Sequence, residues 1–250
     1  MDMTGNTILI TGGGSGIGRG LAEAFHRLGN KVIIAGRRAE VLAEVVAANP
    51  GLASVVFDVE DASGIPGCVA GLIAAHPGLN VLINNAGIMR AEDMLAEPYD
   101  LADAEAMVVT NLLGPIRLTA ALLGQLRAQG RAAVLNVSSG LAFVPLAMTP
   151  TYSATKAALH SWSQSLGYQL RKTSVQVIEV APPAVATDLM PGSRGNPNAM
   201  GLTEYIAEVM ALLAANPAAP EICVERVKLL REAEAKGGYA RIYGVLNPAK

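Results

Sequence analysis

Short apolar runs recur along the chain, separated by longer stretches in which apolar side chains return every three or four positions. The runs are continuous rather than alternating with polar residues, which is typical of strands buried on both faces of a parallel sheet. The predicted strands are 7–11, 32–35, 54–57, 81–83, 133–137 and 175–180. Helical spacing runs through 17–28 and, approximately, through 38–57, 61–76, 103–129 and 152–172.

The regular alternation of strand and helix predicts an α/β fold. Such a chain forms a single-domain, Rossmann-type doubly wound parallel sheet with helices on both faces. No internal repeat or linker divides residues 1–250, so we expect one domain. The loop 188–201 is rich in Gly, Pro, Asn and Met and is predicted to be a mobile substrate loop.

Composition excludes several classes of protein. Hydrophobic residues make up 51% of the chain and charged residues 16%, which excludes intrinsic disorder. A net charge of -2 without a basic block gives no reason to bind nucleic acid. Cys68 and Cys223 stand alone, so neither a disulfide scaffold nor a metal site is expected.

The first residues lack the basic and apolar regions of a signal peptide. The uncharged run 132–155 is long enough to cross a membrane, but polar residues and prolines interrupt it. We therefore expect a cytoplasmic protein with no membrane partner.

A glycine-rich turn follows the first predicted strand and opens the first helix. After Thr11 its pattern is T-G-x-x-x-G-x-G, which fits neither a phosphate-binding GxxxxGK[ST] loop nor a GxGxxG fingerprint. Free N–H groups and the helix dipole attract phosphate at such a position, and an ordinary tight turn is the weaker interpretation. The chain is thus predicted to bind a dinucleotide. The candidate contacts are Gly12, Ser15, Gly16, Ile17 and Gly18.

Two arginines end the second strand, where an NAD-binding domain places an acid that binds the ribose hydroxyls. Arg37 and Arg38 instead offer fork-shaped donors to a 2′-phosphate, which predicts NADP(H) as the cofactor, with Arg37 the stronger candidate. The alternative is that both arginines are solvated residues opening the next helix.

Tyr152 and Lys156 lie four residues apart, on one face of a predicted helix, and Ser139 follows a strand thirteen positions before Tyr152. With the glycine turn, the segment 84–87 (Asn-Asn-Ala-Gly) and Asn111, these residues resemble the short-chain dehydrogenase/reductase superfamily. The resemblance implies an NADP-preferring reductase whose catalytic residues are Asn111, Ser139, Tyr152 and Lys156.

The resemblance also implies a role for each of these side chains. Tyr152 would exchange a proton with the substrate oxygen, and Ser139 would hydrogen-bond that oxygen, with Ser138 as the competing choice. Lys156 would hold the cofactor ribose and tune the tyrosine. A free tyrosine has a pKa near ~10, and a nearby ammonium favours the phenolate.

Asn111 falls inside the predicted helix 103–129, four residues before Pro115. Because proline has no N–H to donate and its ring crowds the carbonyl four positions earlier, we expect the helix to kink at Asn111. A water molecule can bind the freed carbonyl. This fits the family picture, in which an asparagine anchors a water that relays protons from the lysine.

Further cofactor contacts are implied by position in the family pattern. Asp58 and Val59 would flank the adenine. Asn85, Ala86 and Gly87 would line the cofactor, and Val185 and Thr187 would contact the nicotinamide amide. The family usually has Pro-Gly after the sixth strand, whereas this chain has Pro182-Pro183, whose second proline stiffens the turn and removes a donor.

Four methionines fall on loops expected near the substrate. Met89, Met148, Met190 and Met200 either line an apolar pocket suited to a bulky carbonyl compound or fill the core. The three histidines, His26, His76 and His160, have no acidic or cysteine partner nearby in sequence and are predicted to be surface or capping residues.

The segment 221–250 departs from the family pattern. It contains a possible edge strand at 222–224 and a predicted charged helix at 225–236. Family dimers pack the helices equivalent to 103–129 and 152–172, so a homodimer or homotetramer is expected. Leu159, Trp162 and Leu166 form an apolar stripe consistent with such packing.

Together these features predict an NADP(H)-dependent carbonyl reductase that transfers hydride between the nicotinamide and a ketone or aldehyde, with reduction the favoured direction. The alternatives are an NAD-dependent alcohol dehydrogenase on the same scaffold and a non-catalytic nucleotide-sensing protein.

Overall fold

A computed structural model describes residues 1–248, and these residues build one seven-stranded sheet. The strands are Thr7–Thr11 (β1), Lys31–Gly36 (β2), Ala53–Val56 (β3), Leu79–Asn84 (β4), Ala132–Val137 (β5), Val175–Ala181 (β6) and Glu221–Cys223 (β7). Their order is β3-β2-β1-β4-β5-β6-β7, and every pairing is parallel. The doubly wound sheet predicted from the sequence is confirmed, with its order reversing between β1 and β4.

Helices cover both faces of this sheet. They are Gly16–Arg27 (α1), Ala39–Ala48 (α2), Ile65–Ala75 (α3), Ala102–Val108 (α4), Gly114–Ala128 (α5), Pro150–Leu170 (α6), Leu202–Ala215 (α7), Lys228–Arg231 (α8) and Tyr239–Leu246 (α9). A π-helical turn, Val109–Leu113, joins α4 to α5.

The continuous apolar strands supply two cores, one on each face. Ile8 and Ile10 of β1 pack in the same cluster as Phe25 of α1, whereas Leu9 faces the other way and belongs to the cluster of Leu122 of α5. All five side chains are fully buried, and burial of each contributes about 2 kcal/mol. The sheet is therefore a rigid floor for the loops at the carboxyl ends of its strands.

The predicted helix 38–57 is too long, because α2 ends at Ala48. The Asn49 amide donates to the Val45 carbonyl at 2.9 Å, and Gly51 has a positive φ of 96°, which reverses the chain into β3. The helix predicted at 61–76 begins only at Ile65, because the Asp61 carboxylate accepts the N–H groups of the preceding turn.

The predicted distortion near Asn111 is confirmed as the π-helical turn between α4 and α5. The combined segment Ala102–Ala128 is the one helix among residues 1–248 that is long and apolar enough to cross a membrane. Its apolar residues Leu118, Leu122 and Leu126 are fully buried in the core beneath the sheet, so it has the character of a core helix.

The C-terminal segment differs from its prediction. An edge strand is present as β7, but the charged helix expected at 225–236 is helical only as a short turn at Glu225–Val227 followed by α8. The chain then reverses, so that Ala233 packs with Ile242 of α9 and with Val144. The segment therefore covers the loop that follows β5.

Candidate active site

A cleft of about 710 Å³ lies beyond the carboxyl ends of the strands, where the sheet order reverses. The predicted residues that line it are Gly12, Ser15, Gly16, Ile17, Arg37, Arg38, Asp58, Val59, Asn85, Ala86, Gly87, Ser139, Tyr152, Lys156, Val185 and Thr187. Two predicted residues, Gly18 and Asn111, lie behind the wall rather than in it.

The glycine turn brings backbone close to backbone. Gly12 and Gly16 have positive φ angles of 66° and 53°, a conformation that favours glycine. A Cβ on Gly18 would lie 2.3 Å from the Gly12 carbonyl oxygen, so Gly18 allows α1 to pack against the turn. The Ser15 side chain makes no capping bond and the first turn of α1 holds no acid, which leaves its N–H groups open to a phosphate.

Asn85 lines the cleft and also supports the glycine turn through hydrogen bonds. Its side-chain amide donates to the Thr11 carbonyl at 2.9 Å, and the Thr11 hydroxyl accepts the N–H groups of Asn85 and Ala86, both at 3.0 Å. These bonds fix the ends of β1 and β4 to each other. The glycine turn is therefore held in place independently of any bound molecule.

Arg37 lies at the mouth of the cleft and is paired with an acid that the sequence did not point to. Its Nη1 is 3.1 Å from Glu60 Oε1, which also accepts a hydrogen bond of 2.7 Å from the Thr110 hydroxyl. The arginine side chain is 56% exposed, so the ion pair is screened by water and weak. A phosphate is thus able to compete with Glu60 for the guanidinium.

Tyr152 is buried at the other end of the cleft, beside Ser139. Burial raises the pKa of Tyr152 to about 12, and a hydrogen bond with Ser139 acts in the opposite direction. The phenol therefore keeps its proton at neutral pH. The expected lowering of this pKa by Lys156 is not found, because desolvation of the phenolate is the dominant effect.

The choice between Ser139 and Ser138 follows from these contacts. Ser139 acts to lower the pKa of Tyr152, and its oxygen accepts the Leu141 N–H at 3.1 Å. The Ser138 hydroxyl is buried and has no partner among the described residues. Of the two serines, Ser139 is therefore the one whose side chain lies beside Tyr152 in the cleft.

Lys156 is buried below the tyrosine, with its Nζ 5.6 Å from the centre of the Tyr152 ring. Nζ donates to the Val137 carbonyl at 2.9 Å, which leaves two N–H groups of the ammonium for other acceptors. Burial lowers the pKa of Lys156 to about 8, while the Glu179 carboxylate acts to raise it.

Asn111 connects three parts of the site from behind. Its side-chain oxygen accepts the Ile88 N–H and its amide donates to the Ile88 carbonyl, both at 2.9 Å. The amide also reaches the Thr155 hydroxyl at 3.3 Å. The side chain thus joins the π-helical turn to the wall after β4 and to α6, and the water relay implied for Asn111 stays a prediction.

The methionines divide between the cleft and the core. Met89 and Met190 pack in one cluster with Tyr152, and Met148 also lines the cleft. Met200 is fully buried in the main core, so the pocket interpretation is wrong for this residue. Its position follows from backbone pairing with Val185, which pulls the end of the loop onto the sheet.

The loop 188–201 lines the substrate side of the cleft through Asp188, Met190 and Asn196. An ion pair between Asp188 and Arg194 closes it on itself. The mobility expected of this loop stays a prediction. Leu230 and Leu246 of the C-terminal segment also line the cleft. No local pattern predicts this, because the residues around them in the cleft are distant in the chain.

His160 is not the surface residue that was expected. Its Nδ1 lies 2.6 Å from Glu179 Oε2, and that carboxylate is buried in β6. Nineteen positions separate the two residues, so only the packing of α6 on the sheet brings them together. One feature of the sequence did indicate that His160 faces inward: it follows Lys156 by four residues, which places both side chains on the same face of the helix.

The sheet order and the cleft at its switch point define a nucleotide-binding α/β protein. Residues 6–197 match the family model of the short chain dehydrogenases. The chain is 42% identical over 254 residues to the "uncharacterized oxidoreductase DltE" of Bacillus subtilis (strain 168), covering 99% of this chain and 98% of that protein. It therefore belongs to the short-chain dehydrogenase family and is an oxidoreductase of that family.

Other relatives agree with this assignment. The NADP-dependent 3-hydroxy acid dehydrogenase of Schizosaccharomyces pombe is 31% identical over 192 residues, which cover 74% of each chain. A crystal structure of a short-chain dehydrogenase from Streptomyces avermitilis is 27% identical, covers 97% of this chain and 96% of its own, and has a TM-score of 0.83. A short chain dehydrogenase from Burkholderia cenocepacia J2315 in complex with NADP is 26% identical, covers 97% and 99%, and has a TM-score of 0.82.

Proposed function

We propose that this protein is an NADP(H)-dependent carbonyl reductase that converts a ketone or aldehyde to the alcohol. The observation behind this proposal is the meeting of Ser139, Tyr152 and Lys156 at one end of a cleft whose other end is the glycine turn. Hydride transfer needs a nucleotide held at a fixed distance from a proton donor, and this cleft offers both sites on one rigid sheet.

The chain's own residues perform the proton chemistry. The Ser139 hydroxyl orients the substrate oxygen, and the protonated Tyr152 phenol donates its proton to that oxygen as negative charge develops there. The Lys156 ammonium, one helical turn away, stabilises the phenolate that is left. A bound reduced nicotinamide supplies the hydride that the carbonyl carbon receives.

The residues at the glycine end fit a dinucleotide. The open N–H groups of α1 suit a diphosphate, and the glycines at positions 12, 16 and 18 leave room for its close approach. Arg37 supports the preference for NADP(H), because its exposed guanidinium is able to form paired hydrogen bonds with a 2′-phosphate. The NADP complex of the Burkholderia relative is consistent with this preference.

The pocket beyond Tyr152 favours a substrate with apolar substituents, since Met89, Met190, Leu141 and Leu246 line it. We place the enzyme in the cytoplasm as a homodimer or homotetramer assembled through the helices 103–129 and 152–172, as the family pattern implies.

NAD is the second candidate cofactor, and one observation favours it. Glu60 and Asp58 both lie near Arg37, at 3.1 and 4.0 Å, and carboxylates at this place accept hydrogen bonds from ribose hydroxyls. An NAD-dependent alcohol dehydrogenase would use the same proton donor. The two candidates therefore differ only at the adenosine end of the cleft.

Steady-state kinetics with both cofactors separates them. A panel of aliphatic, aryl and sterol-like ketones and aldehydes is assayed with NADPH and with NADH, for the parent enzyme and for Arg37→Ala. We expect NADPH to be preferred in kcat/KM, and the substitution to reduce that preference about tenfold to a hundredfold, since a charge-assisted hydrogen bond contributes about 1.5–3 kcal/mol.

Arg38→Ala is the variant for comparison, because Arg38 is the weaker candidate for the 2′-phosphate at the same mouth, and it should reduce the preference less than Arg37→Ala does. A parent enzyme that prefers NADH would overturn the assignment of the cofactor. A preference for NADPH that survives Arg37→Ala would overturn the role given to Arg37. An enzyme that oxidises neither cofactor with any carbonyl compound would overturn the reductase function.

A further inference from the structure

Tyr152, Lys156 and His160 follow one another at intervals of four residues, so they form one stripe along α6. The first two belong to the proposed proton-transfer site and line the cleft. His160 continues the stripe by one more turn, away from the cleft, and its ring is bonded to the Glu179 carboxylate. The mechanism described above uses neither His160 nor Glu179.

Glu179 is an unusual residue for the middle of a parallel strand. It is 3% exposed, its Oε2 is bonded to His160, and its Oε1 has no partner among the described residues. A buried carboxylate with an unsatisfied oxygen costs folding free energy unless a positive charge lies nearby. The nearby charge on the catalytic side is the Lys156 ammonium.

The strand register explains how this carboxylate comes to lie near Lys156. The lysine Nζ donates to the carbonyl of Val137 in β5, and Val137 pairs with Val180 of β6. Glu179 precedes Val180 by one residue, and its side chain points to α6, where His160 holds it. The Glu179 carboxylate thus lies against the face of α6 that carries Lys156, about one helical turn beyond the lysine.

Other charged groups around Glu179 are already paired. Glu221 of β7 stands beside Glu179 in the register, and Arg231 of α8 donates to both of its oxygens, at 2.8 and 2.9 Å. Cys223 follows on β7, and its pKa is raised to about 12 by burial first and then by Glu221. Because the guanidinium already neutralises Glu221, the His160, Glu179 and Glu221 side chains are a poor site for a divalent cation.

We propose that Glu179, oriented by His160, is a positioning residue of the proton-transfer site, whose carboxylate keeps the buried Lys156 ammonium in its charged form. This inference depends on the proposed reductase function. In a buried site an ammonium loses its hydration, and a fixed carboxylate nearby offsets part of that loss. The Glu179 carboxylate accordingly opposes the effect of burial on the pKa of Lys156.

The pH profile of carbonyl reduction tests the proposal. With Lys156 charged in the active form, kcat/KM declines as the pH rises through the lysine pKa. Glu179→Gln removes the negative charge but keeps an acceptor for His160, so we expect the decline to begin about one pH unit lower. Activity then falls about tenfold relative to the parent at pH 9 and much less at pH 6.

Two variants separate this electrostatic role from a structural one. Glu225→Gln removes a carboxylate that is 80% exposed and lies outside the His160–Glu179 contact, and its pH profile should coincide with that of the parent. Glu179→Asp keeps the charge and should return the decline toward the pH of the parent. A Glu179→Gln variant that loses activity equally at every pH would show that Glu179 only maintains the fold, which overturns the proposal.

A direct titration of Lys156 makes the result independent of turnover. The chain has six lysines, so NMR of protein labelled at the lysine Cε gives few signals, and Lys156→Met assigns the relevant one. We expect the Lys156 signal to titrate about one pH unit lower in Glu179→Gln than in the parent. An unchanged titration in a folded variant would refute the role of Glu179, whereas a shifted titration in a protein that reduces no carbonyl would refute only the proposed function.

If Glu179→Gln does not fold, Glu179→Met provides the second test. Methionine has a similar length and no unsatisfied oxygen, and replacement of buried charges by apolar groups is often tolerated. The same downward shift of the Lys156 titration is expected, and its absence counts equally against the proposal.

Discussion

The two ends of the cleft are built by different means. At the glycine end the wall is backbone, where Gly12, Gly16 and Gly18 let main-chain atoms approach each other and the N–H groups of α1 remain open. At the Tyr152 end the wall is side chains, which are buried and oriented by neighbours from other segments. The glycine end therefore depends on positions that have no side chain. The tyrosine end depends on a few side chains and on the residues that surround them.

This difference determines how each end fails. A side chain added at the glycine end moves the backbone and lowers the affinity for a nucleotide. At the tyrosine end, we expect loss of the Tyr152 hydroxyl to lower the rate of the reaction and to leave nucleotide binding intact. Kinetic and binding measurements on matched variants are able to separate the two ends.

Tyr152→Phe should have the largest effect. Loss of the phenol beside Ser139 is expected to reduce kcat by about a thousandfold, because general acid catalysis contributes roughly 10²–10⁴-fold. The dissociation constant for NADPH, measured by fluorescence titration, should stay within about twofold of the parent value.

Tyr168→Phe is the control for this substitution, since Tyr168 lies on the same helix and is 67% exposed. It should leave both quantities unchanged. If Tyr152→Phe retained the turnover of the parent, a different proton donor would operate and the comparison between the two ends would fail.

Gly18→Ala should have the next largest effect, at the opposite end. The new methyl group would lie 2.3 Å from the Gly12 carbonyl oxygen, so the turn must shift. We expect NADPH affinity to fall at least about tenfold, or ~1.4 kcal/mol, when measured by calorimetry. kcat at saturating cofactor should change far less.

The control here is Gly124→Ala, because a Cβ at Gly124 of α5 meets nothing within 4 Å. Alanine in a helix interior stabilises it by about 0.5–1 kcal/mol, so this variant should melt slightly higher and bind NADPH normally. Equal affinity of Gly18→Ala and the parent for NADPH would show that the turn is not the phosphate site.

Pro115→Ala tests a smaller contribution, behind the tyrosine end. Alanine restores an N–H group that is able to bond the Asn111 carbonyl, so the π-helical turn should relax toward an α-helix. If a water on that carbonyl relays protons, kcat should fall a fewfold while NADPH binding is unchanged.

Pro66→Ala, in the first turn of α3, is the corresponding control at an exposed proline away from the cleft. Turnover of Pro115→Ala equal to that of the parent would argue against a proton relay through Asn111.

The glycine end was largely predictable from the sequence. A positive φ or a close approach of two backbone segments selects glycine at that position, so a backbone constraint is visible in the residue type. The spacing of Gly12, Gly16 and Gly18 was therefore sufficient to locate the turn. The strands were predictable for the same reason, because burial on both faces selects continuous apolar residues. The ends of the helices were less predictable. At Ala48, for example, the boundary is determined by a side-chain cap and one glycine.

The tyrosine end was only partly predictable. Tyr152 and Lys156 have a recognisable spacing, but the pKa of each depends on burial and on groups far along the chain. The pairing of His160 with Glu179, and of Arg37 with Glu60, arises from the packing of separate elements, for which the sequence contains no local signal. Electrostatic surroundings are thus the part of this site that required the structure.

The final stretch of the described chain has a further consequence for altering the enzyme. Asn247 accepts the Ala147 N–H at 2.5 Å and donates to the Pro145 carbonyl at 3.0 Å, which fastens this tail to the loop after β5. Leu230 and Leu246 enter the cleft from the same stretch. One contiguous peptide therefore shapes this side of the cleft. If the proposed reductase function holds, we expect exchange of this peptide for that of a relative to change substrate choice and to leave the strands and Tyr152 in place.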